Sequence, residues 1–75
     1  MMYPKQRQLP PSHSILRLPA VKARTGLSRS TIYLKVANHT FPKPVKLGGR
    51  AVGWVDGEVD DWLEALITTS RLSMG

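Results

Sequence analysis

Residues 26–33 read GLSRSTIY, and the fold turns on how these eight positions are read. A glycine, three small hydroxyl side chains, one arginine and one tyrosine are poor material for a core. Gly26 suits the left-handed conformation that closes a helix, which glycine adopts cheaply. Ser28 two residues later suits the N-cap of the next helix. Leu27 and Ile32 are placed for a hydrophobic staple across that cap. GLSRSTIY therefore reads as the turn between two helices and the leading end of the second.

Working outward, Pro19 fits the first turn of a helix, where its missing N–H costs nothing. A short helix is predicted over residues 19–25, with Val21 buried. The second helix is predicted to run to about Asn38, burying Ile32 and Val36, one turn apart. Phe41-Pro42-Lys43-Pro44 forces an extended segment. Val45-Lys46-Leu47 alternates as a strand does, Gly48-Gly49 signals a hairpin tip, and residues 50–55 form the return strand. Asp56 suits the N-cap of a last helix. Its Val59, Trp62, Leu63, Leu66 and Ile67 recur at helical spacing and read as core, each worth roughly 1.5–3 kcal/mol if fully buried. Trp54 and Trp62, in the strand and on that stripe, also read as packing residues. Ile15, Leu16 and Leu18 enter the domain as a short extended piece.

The order helix, turn, helix, hairpin, helix is an α+β, mainly α architecture: a helix-turn-helix with a wing. The 75 residues suffice for one small domain. Residues 14–70 are expected to form it, with a flexible basic leader over 1–13 (Pro4, Pro10, Pro11, Lys5, Arg7) and a frayed end over 71–75. The absence of cysteine excludes a disulfide framework, a thiolate zinc site and a cysteine nucleophile. Nothing reads as a secretory signal or a membrane span, and a cytoplasmic location is expected.

Charge carries the functional reading. The chain holds eleven Lys/Arg and five Asp/Glu, and they are segregated. All five acids fall in residues 51–75, which carry one cation, Arg71; residues 1–50 carry the rest of the cations and no acid. Like charges collected in this way repel one another, and a polyanionic partner is the natural reason to keep them.

In a helix-turn-helix the second helix enters the major groove of double-stranded DNA with its N-terminal residues leading. Ser28, Ser30 and Thr31 supply hydroxyls with little bulk, and the helix N-terminus favours a phosphate. Arg29 suits a phosphate or the O6/N7 edge of guanine. Tyr33 and Lys35, on opposite flanks of the Ile32/Val36 seam, suit phosphates. The same SRST run is also an ordinary capping sequence, with Tyr33 half-buried. In the wing, Lys46 and Arg50 flank Gly48 and Gly49, whose lack of side chains allows close approach to a minor-groove edge or the backbone. Arg24 and Lys43 are further expected backbone contacts.

The stretches RLPAVKARTGLSRSTIY (17–33), FPKPVKLGGRAVGW (41–54) and EVDDWL (58–63) resemble the AlpA-type prophage regulators and, more distantly, the small phage excisionases. The resemblance spans about Ile15 to Leu66. It implies a winged helix related to the MerR DNA-binding domain. It implies control of promoters, typically that of an integrase gene, or the bending of DNA at repeated sites to direct an integrase toward excision. The chain departs from relatives at Leu34, where they place a cation, and at Ala37, where they place a polar or charged residue. Both lie away from the seam, open to thymine methyl groups, a neighbouring protomer or nothing. His39 replaces the glycine that often closes this helix, leaving Asn38 to take the left-handed conformation.

Catalysis is not expected. Asp60, Asp61 and Glu64 form no acid/base pair, Ser28 has no nearby His, and the glycine pair lacks a phosphate-loop lysine. His13 and His39 have no partners at metal spacing, and no cofactor is expected. Exposed aromatics do not cluster as RNA readers require. The alternative to DNA binding is a protein-interaction module whose acidic last helix docks an integrase or RNA polymerase. One helix and one wing cover few base pairs, so cooperative self-association on DNA is expected.

Overall fold

A computed structural model describes residues 14–74; the leader expected over residues 1–13 lies outside the described residues. The elements are β1 (Ile15–Leu16), α1 (Leu18–Thr25), α2 (Arg29–Ala37), β2 (Val45–Gly48), β3 (Ala51–Val55) and α3 (Asp56–Met74). This is the helix-turn-helix with a hairpin wing, closed by a last helix.

The turn is built as its residues dictate. α1 starts with Pro19 in its first turn and ends at Gly26, whose φ of 75° lets its N–H donate to the Lys22 carbonyl at 2.8 Å. Ser28 then caps α2, its Oγ accepting from the Thr31 N–H at 3.2 Å. At the other end the left-handed residue is His39 (φ 61°) and not Asn38 (φ −89°). The reason is the pair of closing bonds: the His39 N–H donates to Val36 O and the Thr40 N–H to Lys35 O. That pattern is a Schellman motif, which places its left-handed residue just past the cap, so His39 adopts the conformation glycine would have supplied.

The sheet holds one strand more than the predicted hairpin. Its order is β1-β3-β2, antiparallel throughout, with Ile15 opposite Val55 and Leu16 opposite Trp54. Gly53 makes this possible, since a Cβ there would overlap the Ile15 side chain. The hairpin tip also shifts by one residue. Gly48 pairs with Ala51 after an irregularity between Lys46 and Gly48, so the turn is Gly49-Arg50 rather than Gly48-Gly49. The bulge absorbs a residue of β2, and Gly48 at φ 128° accommodates it.

The core takes one side chain each from α1, α2, the connector after α2, β3 and α3: Val21, Ile32, Phe41, Trp54 and Val59 are buried. Trp54 lies at its centre and donates its indole N–H to Pro42 O at 3.0 Å. Trp62, half-buried, meets Phe41 edge-on at 4.8 Å and donates to Thr40 O at 2.7 Å. Both indoles thus fasten the Phe41–Pro44 connector. The expected α3 stripe is only half core. Val59 is buried and Trp62 and Leu63 partly so, but Leu66 and Ile67 remain 49% and 43% exposed. The helix is 19 residues long and outruns the small body it packs against.

Candidate nucleic-acid interface

The start of α2 carries two of the expected residues in contact. The Arg29 guanidinium lies over the Tyr33 ring, 5.5 Å from its centroid. One helical turn separates the two, so they share a flank. The Tyr33 ring in turn meets Trp54 edge-on at 6.0 Å, leaving the tyrosine 37% exposed. A buried tryptophan therefore backs the tyrosine, and the tyrosine backs the arginine. The stack also lays this flank of α2 against β3, the strand that returns from the wing tip.

Ser28 and Thr31 have local duties as well. The Ser28 hydroxyl donates to Thr31 Oγ1 at 2.9 Å while its oxygen caps the helix. Ser28 stays exposed, and exposed Ser30 lies beside it. The first turn of α2 contains Arg29 and no acid. This inverts the usual preference, because a helix N-terminus is positive and favours an anion by about 0.3–1 kcal/mol. Lys35 lies apart. It is half-buried in the last turn, 200° around the helix from Tyr33, where a cation suits the negative end of the helix. Leu34 is 61% exposed and Ala37 is exposed, as helical geometry requires.

On the wing, every residue of β2 is exposed, including Lys46 and Gly48, and the tip residues Gly49 and Arg50 are exposed too. A further cation stands here that the sequence did not single out. Arg17 donates from Nε to Val52 O at 3.0 Å, and Val52 is the β3 residue opposite Lys46. Arg17 and Lys46 thus approach β3 from its two sides. Its position ahead of a helix gives no pattern from which to infer a contact 35 residues away.

Two expected backbone contacts are placed otherwise. Arg24 bridges α1 to α3, with Nη1 2.9 Å from Asp56 Oδ1 and Nη2 2.6 Å from Asp60 Oδ1. Its hydrogen bond to Asp56 and the two carboxylate charges raise its pKa above the usual arginine value, against a smaller opposing effect of desolvation. Asp56 Oδ1 is buried, and this guanidinium supplies its compensating charge. Lys43 lines a shallow groove with Pro42, Pro44 and Val45, where Glu58 and Asp61 stand opposite. Among the described residues Arg24 is ion-paired to α3, and Lys43 shares its groove with two α3 acids.

No group of three His, Asp or Glu side chains converges among the described residues, and no described helix is long and apolar enough to cross a membrane.

The family model described as prophage CP4-57 regulatory protein (AlpA) matches residues 14–67. The DNA-binding transcriptional activator AlpA of Escherichia coli (strain K12) is 47% identical over 55 residues, covering 65% of this chain and 79% of that protein. The uncharacterized protein ORF88 of Enterobacteria phage P4 is 46% identical over 52 residues, covering 69% of this chain and 59% of that protein. The matched span runs from the first strand to the middle of α3 and contains the Arg29–Tyr33 stack and the wing. By fold and by sequence, the chain belongs to the AlpA family of prophage regulatory proteins.

Proposed function

We propose that this protein binds double-stranded DNA sequence-specifically and regulates transcription at a prophage promoter, such as that of an integrase gene. α2 enters the major groove N-terminus first. Arg29, held by Tyr33, reaches guanine or an adjoining phosphate, and the hydroxyls of Ser28, Ser30 and Thr31 line the close approach. Lys46, Arg50 and Arg17 contact the backbone from the wing side, with Gly48 and Gly49 admitting the sugar–phosphate wall. The observation that carries this reading is the cation at the positive end of α2. It is locally unfavourable, and an anion arriving at that end satisfies both the guanidinium and the free N–H groups. The name of the Escherichia coli relative supports the same reading.

Arg24 and Lys43, facing carboxylates, make at most minor contributions. An excisionase role would use the same surface and differ in the bend imposed and in the site occupied, beside an attachment site rather than a promoter.

Titrating the protein into duplex at increasing salt tests the proposal. With about four to six phosphates neutralised, the log–log slope of affinity against salt is expected near −4 to −5, roughly −0.9 per contact. A flat response, or no duplex binding near physiological salt, would overturn it in favour of an interaction module acting through α3.

A further inference from the structure

We infer that the projecting half of α3 pairs with the same segment of a second copy of this chain, antiparallel, about a two-fold axis near Ile67 and Thr68. Leu66 and Ile67 continue the stripe that Val59 and Leu63 begin within the core, yet both are about half exposed. The stripe is thus a core face with its second layer missing. A partner helix can supply that layer, and α3 gives grounds for choosing which.

Those grounds are electrostatic. Glu64 and Arg71 are seven residues apart, two helical turns, and so lie on one flank of the stripe beside Ile67. Both are exposed. In an antiparallel pair centred between Ile67 and Thr68, each Arg71 stands beside the Glu64 of the other copy. A parallel pair would carry that flank to opposite sides of the two helices and leave these charges without partners. A helix whose one late cation lies two turns after its last acid therefore complements itself when reversed. Leu72, on another face, takes no part.

Two turns of helix bury far less than the roughly 1,000 Å² that a stable complex needs. The pair is accordingly weak in solution, and adjacent DNA sites raise the effective concentration enough to populate it. This deepens the DNA-binding reading and adds a geometric consequence: a two-fold contact relates the two reading helices by a dyad, so paired sites are inverted repeats.

The chain has no cysteine, so Ile67→Cys gives a single disulfide trap at the axis. In this background, trapping is expected for the otherwise unchanged protein and is enhanced by a duplex carrying inverted sites. Glu64→Arg alone and Arg71→Glu alone should each reduce it about tenfold by setting like charges together. Mixing those two variants should restore it, because the arginine introduced in one then faces the glutamate introduced in the other. Equal trapping in every variant, or none in the unchanged protein with or without duplex, overturns the proposal. Circular dichroism of each variant confirms folding, and the mixing rescue excludes a folding defect as the cause. Protein that binds the inverted sites yet shows no trapping on them would sink the pairing alone; trapped pairs that ignore duplex would sink only the DNA reading.

Discussion

α2 and α3 both hold large apolar side chains in the open, and for different reasons. Leu34 of α2 faces outward from a nine-residue helix whose opposite side is sealed into the core by Ile32. Leu66 and Ile67 of α3 belong to the inward stripe and are open because the body ends beneath them. The electrostatics diverge in parallel. α2 begins with a cation and no acid, whereas α3 begins with Asp56 and Glu58 and holds every acid of the chain. Two of those acids, Asp56 and Asp60, engage Arg24 in ion pairs. Charge thus differs between the two helices: α2 carries cations and no acid, while α3 carries the acids, packs on the body and projects beyond it.

The largest expected effect tests whether the two helices share one core. Trp54→Ala should destabilise by about 3–5 kcal/mol, unfolding α2 and α3 together in chemical denaturation followed by circular dichroism. Survival of either helix as a cooperative unit would show that the two do not depend on a common centre. Leu66→Ala, on the same stripe as Val59 but outside the body, should change monomer stability by less than about 0.5 kcal/mol.

Next in size is the functional contrast. Arg29→Ala should cost about 1–3 kcal/mol in DNA affinity and relax preference at one base pair, while Asp61→Asn leaves affinity unreduced. Equal loss across all duplex sequences would move Arg29 from base reading to phosphate contact. Lys46→Ala and Arg50→Ala should each lower the salt slope by about one without altering preference.

Smaller effects concern the ends of α2. Ser28→Ala removes the N-cap acceptor and should cost roughly 1 kcal/mol of stability in thermal or denaturant unfolding. His39→Gly should gain about 1 kcal/mol or less, because a non-glycine residue at φ 61° is strained. A loss on the second substitution would mean that the His39 side chain makes a compensating contact.

Much of this protein was legible from short-range pattern. The αL glycine at 26, the cap at Ser28 and the Phe-Pro-Lys-Pro break each rest on residues within a few positions of one another, and the division of charge needs only a count along the chain. Local chemistry decides such features, since a cap or a turn is satisfied by its own neighbours. The outward position of Leu34 followed from helical geometry alone.

Tertiary structure decided the rest. Nothing near Ile15 indicates that it pairs with Val55 across the notch left by Gly53. Arg24 finds its carboxylate 36 residues away, and Arg17 finds Val52 across 35. Helical spacing placed Leu66 and Ile67 on the inward stripe correctly, but periodicity gives direction and not depth. Whether a side chain is covered depends on where the opposing layer stops, and that boundary is set only when strands and helices from distant parts of the chain close around Trp54.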